Sequence, residues 1–485
     1  MKNKGQTTVF FSCMISVLLL FTLTALEVGR IYMSRVKARA VIHSAQTSIL
    51  ADYHRELFER YHLLYLDPTY ATGSEAIAEE RYRNYIEESL NGGTGQIYQY
   101  DVEEIALAEE VHILEDGMKT LKQQIKEYEK TEGVVKKAEE VWNFTTGQNE
   151  NVENAKQETD RNAQEIEGMK QPDKTEMTEE DVTDPRETLK EATKSGLLSF
   201  VLPDHVTISR EKMDYSQSPS VAYSGIARVE KDISFADIGK MKNALKESGD
   251  MGSSLVTERV AFADYVKEHF SNVVHTREDS VVKCEMEYIL VGGNNDYDNV
   301  QAVVNDIAWL RMPVNYAYLL SDSAKKSEAL TVAAGICTAT GTPALMEIVK
   351  YLLLGCWAYG ESLHEIKLLL AGEKVPYVKN TTNWYTDLKS LAAKGTVPTQ
   401  TNGMDYESFL MLLLIKEAGK EVTYARMLDM TEKNLQVQMP SFRIGDLIGA
   451  GRFQGKITVN AMFVGGKSKE LYEIYFDEPF SYTND

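Results

Sequence analysis

Cysteine, proline and histidine are scarce in this chain, which has four, 11 and eight of them in 485 residues. Cys13 falls within an apolar segment, and the other three cysteines are too few and too scattered for a disulfide scaffold. The sequence has no Cys-x-x-Cys pair and no Cys/His cluster with the spacing of a zinc site. With 43% hydrophobic residues the chain is not intrinsically disordered, and its length allows one large or two moderate domains.

Basic residues are also fewer than acidic ones: the chain has 52 Lys and Arg and 73 Asp and Glu, which gives a formal net charge of -21. A surface of this sign repels nucleic-acid phosphates and anionic lipid headgroups. We therefore expect no nucleic-acid partner and no docking on anionic lipid by charge. Cys337 and Cys356 could pair across a helical hairpin outside the cell, but free cysteine is also commonly buried, so the sequence leaves this open.

Long uncharged runs are absent except for one, QTTVFFSCMISVLLLFTLTAL at residues 6–26. At about 1.5 Å per residue, a helix of this length crosses the roughly 30 Å hydrocarbon core of a bilayer. The run is longer than the core of a secretory signal, and no small-residue cleavage site follows it. We predict a basic leader at residues 1–5 and a retained transmembrane helix at residues 6–28, with a cleaved secretory signal as the alternative.

Helix-like spacing of apolar residues continues beyond the run, which predicts a stalk helix reaching to about Tyr61 with a total length of about 80 Å. Such a helix needs a partner for its apolar stripe. The stalk and a membrane-proximal region together occupy residues 29–110. Within it we expect a helix ended by Asp67 and Pro68, a second helix over Ser74 to Leu90, and a strand over Ile97 to Leu107.

Residues 111–170 predict coiled-coil-like helices, because apolar positions from Leu114 to Trp142 recur close to every seventh residue. The partner is expected within the same chain, as a helical hairpin, and an intermolecular coiled coil is the alternative. Residues 171–195 are acidic and contain two prolines, which indicates an exposed linker.

Residues 196–485 predict a helical α+β body with a C-terminal β-hairpin. We expect a strand over Val281–Val291, an N-cap among Asn294 to Asp296, helices over Ala324–Thr338, Pro343–Leu370 and Tyr406–Ala418, a C-cap at Gly372, and hairpin strands over Lys456–Val464 and Glu470–Phe480. The predicted fold class is thus α+β and mainly helical: one N-terminal transmembrane helix extending into a stalk, a coiled-coil-like helical hairpin, and a helical body with a small antiparallel sheet.

No segment carries a recognisable catalytic motif. Residues 292–298 (GGNNDYD) lack the spacing of a calcium loop, and His269 and His275 do not share a helical face. Gly449-Ala450-Gly451 with Gly455 precedes a strand instead of a helix, so we expect a flexible turn there and no phosphate loop. The sequence predicts no catalytic, cofactor-binding or metal-binding residue, no cofactor, and no enzyme.

The N-terminal KGQTTVF followed by an apolar helix resembles the start of pilin-type proteins. That resemblance implies prepilin-type cleavage between Gly5 and Gln6. The chain departs from the pilin pattern at the fifth residue after this bond, where Phe10 stands in place of the usual Glu.

The block from Ser44 to Tyr70 is similar to the region after the anchor in TadE/TadG-like proteins of the tight-adherence pilus system. The segments CEMEYILVGGNNDYDNV, WLRMPVNYAYLL, CWAYGESLHEIKLLLAGEKVPYVK and YARMLDMTEKNL resemble an uncharacterised Gram-positive bacterial family with a domain of unknown function. The resemblance implies a single-pass cell-membrane protein, its bulk extracellular, that acts as a structural or accessory component of a Tad-like pilus or secretion assembly.

The partners implied by this reading are the bilayer, through the N-terminal helix, and other pilus or envelope proteins, with self-association through the stalk or coiled region. Charge favours the opposite orientation, because Arg30, Arg35, Lys37 and Arg39 follow the apolar run whereas only Lys2 and Lys4 precede it. A membrane-tethered cytoplasmic scaffold therefore remains an alternative. A cell-envelope enzyme or ligand-binding module with dispersed site residues is another.

Overall fold

The structure is a computed structural model that describes residues 4–70, 74, 76–92, 98–129, 185, 190, 196–203, 206–223, 255–388, 391, 403–463 and 471–483. The predicted coiled-coil-like hairpin lies outside these residues from position 130 onward. The predicted linker at 171–195 lies outside them except for positions 185 and 190.

The described residues form an α+β fold that is mainly helical, with a small antiparallel sheet, which confirms the predicted fold class. The helices are α1 Lys4–Leu50, α2 Arg55–Tyr61, α3 Ala76–Asn91, α4 Lys119–Tyr128, α5 Leu197–Val201, α6 Pro219–Tyr223, α7 Leu255–His269, α8 Glu285–Val291, α9 Asp296–Ser321, α10 Ser323–Ala339, α11 Met346–Leu370, α12 Tyr406–Glu417 and α13 Glu421–Gln436. The strands are β1 Tyr100–His112, β2 Ile448–Asn460 and β3 Leu471–Ser481, and short 3₁₀ turns occur at Asp116–Met118, Pro343–Leu345 and Ile444–Asp446.

The chain divides into two compact units, one formed by Met1–Gln124 with Gln438–Asp485 and the other by Ile125–Val437. The first, which we call the sheet unit, contains α1 and all three strands. The second, which we call the helical unit, contains α7 to α13. The sequence-based division groups the C-terminal hairpin with residues 196–485, whereas in the structure β2 pairs with β1 and so belongs to the sheet unit.

Helix α1 is one continuous helix, but it ends at Leu50 and not near Tyr61 as predicted. A new helix starts after His54, whose Nδ1 accepts a hydrogen bond from the Leu57 backbone N–H at 3.2 Å. That helix, α2, ends at Tyr61, and the next residue, His62, adopts the left-handed conformation with φ 54°. The prediction that Asp67 and Pro68 end the helix is therefore wrong, because the caps at both ends confine it to two turns.

The C-terminal half of α1 finds its partner within the sheet unit. Its buried residues recur three and four positions apart, which places them on one face: Ala38, Ile42, Ala45 and Ile49. They join a core with α3 and the sheet, in which the Tyr82 and Phe453 rings stack with centroids 4.1 Å apart. The apolar stripe that the sequence left without a partner is thus covered by the chain itself.

The sheet has the order β1-β2-β3 with both pairs antiparallel. Tyr100 lies opposite Val459, and Asn460 lies opposite Leu471. The predicted hairpin is confirmed, but β2 begins at Ile448, so the glycines at 449, 451 and 455 lie within a strand and the predicted flexible turn is wrong. A Cβ on Gly455 would lie 2.3 Å from Cζ of Phe476, so this glycine makes room for an aromatic ring that crosses the sheet.

In the helical unit, the predicted helices over 324–338, 343–370 and 406–418 are confirmed within a few residues as α10, α11 and α12. Asn295 caps α9 by accepting from the Asp298 N–H at 2.9 Å, and Asp405 caps α12 by accepting from Ser408 N–H at 3.0 Å. Gly372, predicted as a C-cap, has φ 85° just after α11.

The predicted strand over Val281–Val291 is wrong, because Glu285–Val291 forms α8. Alternation of polar and apolar residues is typical of a strand with one solvent-exposed face. In α8, however, both acidic residues, Glu285 and Glu287, are fully buried. Their carboxylates accept hydrogen bonds from neighbouring segments. The period-2 pattern therefore arises from buried acids that accept hydrogen bonds and not from a solvent-facing side of a strand.

Candidate functional site at the end of the apolar segment

Two opposite charges follow the apolar run of α1. Glu27 and Arg30 are three residues apart, which places them on the same helix face, and Arg30 Nη2 lies 2.6 Å from Glu27 Oε1. Both side chains are buried. A buried ion pair is tolerated only when further hydrogen bonds satisfy the groups that have left water.

The last residue of β2 and the residues that follow it supply those hydrogen bonds. Glu27 accepts from the backbone N–H groups of Met462 at 3.2 Å and Phe463 at 3.1 Å. Arg30 donates to the carbonyl oxygen of Asn460, and its guanidinium carbon lies 5.9 Å from the centroid of the Tyr98 ring. The pair thus holds the chain where it leaves β2, and we call these residues, Glu27, Arg30 and Asn460–Phe463, the hairpin clamp.

The clamp also changes the surface of α1. Glu27 and Arg30 are the two charged residues between Gln6 and Arg35, and both face the hairpin. The outward surface of α1 therefore stays uncharged past Leu26 and includes the exposed side chains of Tyr32 and Met33. Beyond Gln6, the first charged residue of α1 that is exposed is Arg35.

Gly5 and Gln6, the predicted cleavage positions, lie in the first turn of α1, and cleavage between them stays a prediction. Sequence reasoning located the end of the apolar run but missed the clamp. The available signal was the spacing of Glu27 and Arg30, two opposite charges one turn apart directly after the run.

A surface hollow of about 590 Å³ lies beyond the other end of α1, lined by Ala51, Asp52, Tyr53, His54, Arg55, Phe58, Glu59, Asp67, Tyr70 and Arg81. One of its carboxylates is already engaged: Asp52 Oδ2 accepts from Tyr85 at 2.8 Å and Tyr70 at 3.2 Å and lies 3.0 Å from Arg81. His54 is committed to capping α2, and burial lowers the pKa of its imidazole. The Asp52 and His54 side chains are thus engaged in contacts that stabilise the turn after α1.

The helical unit contains a buried charge network between α9, α11 and the segment after α11. Arg311 binds Glu365 through two hydrogen bonds, at 2.9 and 2.7 Å. Lys379 Nζ bridges Glu365 at 2.9 Å and Glu361 at 2.6 Å. Glu361 also accepts from the backbone N–H and the hydroxyl of Thr386 at 2.9 and 2.7 Å.

Two cations and two carboxylates balance in this network, and all four side chains are inaccessible to solvent. Burial alone would raise the pKa of Glu365, but the charges of Arg311 and Lys379 outweigh it and lower that pKa to about 2. A neutral cluster in which each charge lies beside an opposite one offers no uncompensated charge to a substrate. It fixes the packing of α9 against α11 and positions residues 379–386.

Buried acids of α8 hold the segment that connects α7 to α8. Glu285 accepts from the Ser271 N–H at 2.7 Å and the Ser280 hydroxyl at 2.9 Å, and Glu287 accepts from the Val273 N–H at 3.1 Å. Burial raises the pKa of Glu287 to about 7, against the hydrogen bonds that lower it. This carboxyl group therefore changes its charge near neutral pH without lying in a cleft that the structure describes.

The two histidines considered in the sequence, His269 and His275, do not meet at a common site. His269 stacks on Tyr265 with ring centroids 4.3 Å apart, and His275 Nδ1 lies 2.8 Å from Glu407. Cys337 and Cys356, whose pairing the sequence left open, are both free thiols.

Three carboxylates come close enough together to hold a metal ion. Oxygens of Glu129, Asp264 and Glu268 lie within 4.8 Å of one another. Such acidic groups are common without an ion, and the sequence around them has no metal-ligand motif, so we assign no metal to this cluster.

Together these features define a class: an α+β protein with a sheet unit built on a single long apolar helix and a helical unit rich in buried, paired charges. A family model matches residues 175–459, which is more than half of the chain. The protein belongs to this family, DUF5702, a family of unknown function. No curated protein and no solved structure matches the chain.

Proposed function

We propose that this protein is a membrane-anchored, surface-facing structural or accessory component of a Tad-like pilus or secretion assembly that acts through protein–protein contacts. The observation that carries the proposal is the continuity of α1. One helix includes both the apolar run and the residues that form the core of the sheet unit, without a linker between them.

Exposure of the apolar run supports a retained anchor. The helix over Thr7–Leu50 is long and apolar enough to cross a membrane, and its most apolar stretch is not buried against the rest of the described residues. A core helix of a water-soluble domain would bury these side chains against its own fold. Lipid is the environment that covers such a surface without a protein partner.

The clamp and the stalk core support a mechanical role. Ala38, Ile42, Ala45 and Ile49 fix the second half of α1 in the sheet unit, and Glu27 and Arg30 fix its membrane-side end to the hairpin. The sheet unit is therefore rigidly oriented with respect to the helix that we propose to lie in the bilayer. A rigid connection of this kind suits a scaffold that presents its surface at a fixed height above a membrane.

Extracellular orientation rests on the resemblance to TadE/TadG-like proteins. It can be tested with maleimide labelling of intact cells that express full-length protein with Tyr475→Cys, since Tyr475 is exposed on β3. Cys13→Ser and Cys356→Ser remove the two native cysteines that are not buried. Labelling by an impermeant maleimide supports the extracellular orientation, and labelling only after cell lysis would favour the membrane-tethered cytoplasmic scaffold.

The assembly role is tested by deleting the gene in its native host and counting surface filaments and secreted pilus proteins. We expect a loss that is restored by the full-length chain and not by a chain lacking residues 2–26. Unchanged filament number and secretion in the deletion strain would refute the proposed role. The truncated chain serves as the matched control, because it retains every residue of the helical unit.

A further inference from the structure

We propose that Met462 and Phe463, which directly follow β2, contact the lipid headgroup region and form a second membrane attachment beside α1. This inference rests on the proposed function, because it requires the apolar run to lie in a bilayer. It adds an interaction surface on the sheet unit and names its partner as the bilayer surface itself.

Depth along α1 is the first argument. If residues 6–26 fill the hydrocarbon core, the headgroup region covers roughly the next 5 to 7 Å, which corresponds to about four residues of helix. Glu27 and Arg30 follow Leu26 by one and four residues. The backbone groups that they bind, from Asn460 to Phe463, are therefore held at the depth of the headgroups.

The chemistry of the exposed side chains is the second argument. Met462 is 57% exposed and Phe463 is 40% exposed, although both are large apolar residues. Apolar and aromatic side chains at this depth are stabilised by the membrane interface, as in the aromatic belts of membrane proteins.

Charge gives the third argument. Glu27 and Arg30 neutralise each other and use their remaining hydrogen-bonding capacity on the hairpin, so the clamp can enter the headgroup region without exposing an unpaired charge. The contact is apolar and does not require anionic lipid, which agrees with the acidic net charge of the chain. Attachment at two points would restrict rotation of the sheet unit around the α1 axis.

The test uses full-length protein in phosphatidylcholine nanodiscs, with Cys13→Ser and Cys356→Ser, and a nitroxide spin label at one introduced cysteine. Val17→Cys reports on the apolar run, Met462→Cys on the proposed contact, and Tyr475→Cys on an exposed site of the same sheet. Val17, Met462 and Tyr475 are 67%, 57% and 69% exposed. Because the three sites are similarly exposed, differences between their labels report on whether lipid or water surrounds them. Collisions with oxygen, which concentrates in lipid, are compared with collisions with a water-soluble nickel chelate.

We expect the ratio of oxygen to nickel collisions to be high at Val17, low at Tyr475, and well above the Tyr475 value at Met462. A Met462 ratio equal to that of Tyr475, with a high Val17 ratio, would overturn the second attachment and leave the anchor intact. A low ratio at Val17 would overturn the anchor and the second attachment together. Circular dichroism of each labelled protein verifies that the fold is retained.

Discussion

Arg311→Met tests the buried charge network most sharply. The substitution keeps most of the side-chain length but removes one of two cations, leaving Glu361 and Glu365 with Lys379 alone. Breaking a buried pair in this way costs about 3–5 kcal/mol of unfolding free energy, because one charge stays buried without compensation. The lowered pKa of Glu365, about 2 against an ordinary 4.5, corresponds to about 3 kcal/mol at neutral pH and agrees with that range.

The sign of the pH dependence follows from the direction of the shift. Because the folded state lowers the pKa of Glu365, its contribution to stability is complete above the ordinary value of 4.5 and is lost as the pH falls towards 2. Arg311→Met removes much of this shift. The variant should therefore be less stable than the wild type at pH 7 and lose less additional stability between pH 5 and pH 3.

The assay is urea unfolding of full-length protein in detergent, followed by tryptophan fluorescence. Trp357 and Trp384 report on the network, because Trp357 Nε1 donates to the Thr386 hydroxyl and the Trp384 ring lies 5.6 Å from Lys379 Nζ. Arg452→Met is the matched control. Arg452 binds Asp477 with the same two-bond geometry, at 2.8 and 2.7 Å, but at the surface, so little change is expected.

The double variant Arg311→Met/Glu365→Leu separates a missing partner from a packing defect. It removes both charges of the pair and leaves Lys379 with Glu361, so it should be more stable than Arg311→Met alone. A cost below about 1 kcal/mol for Arg311→Met at pH 7, or an unchanged slope between pH 5 and pH 3, would refute the reasoning.

Three further predictions concern other parts of the fold. Burial raises the pKa of Glu287 to about 7, so the wild type should lose stability as the pH rises from 5 to 8. Glu287→Gln should flatten the dependence of Tm on pH, and an equal slope of Tm against pH in both proteins would contradict this. Gly455→Ala should destabilise the sheet unit by about 1–3 kcal/mol in urea unfolding, because the new methyl group would overlap the facing ring of Phe476. Gly29 has open space around it, so the control Gly29→Ala should leave the stability of the sheet unit unchanged. Arg30→Met leaves Glu27 buried without its cation and should speed amide hydrogen exchange at Met462; unchanged exchange there would count against the clamp.

Local signals predicted much of the fold. The N-cap among Asn294 to Asp296 and the C-cap glycine at Gly372 follow from short-range chemistry, and the structure confirms both. The β-hairpin followed from two strand-like runs around a glycine-containing connection. Its partner β1 could not be paired with it from the sequence, because β1 and β2 are separated by more than 300 residues and the pairing depends on tertiary packing.

Sequence reasoning missed the hairpin clamp and predicted a strand in place of α8 for the same physical reason. Glu27, Arg30, Glu285 and Glu287 are charged residues that a sequence pattern places at the surface, whereas the fold buries them beside backbone donors or an opposite charge. Such compensation comes from residues distant in sequence, as with Glu27 and Met462. Composition and periodicity contain no information about those partners.

The central claim is that the apolar run stays in the mature protein and lies in the membrane. It is tested most directly by separating cells into membrane, soluble and secreted fractions and determining the N-terminal sequence and intact mass of the protein in each. We predict that the protein is in the membrane fraction, resists carbonate extraction, and begins at Met1 or Gln6 with residues 6–26 present. A mature chain that begins after Leu26 and is recovered from the medium or the soluble fraction would contradict the account.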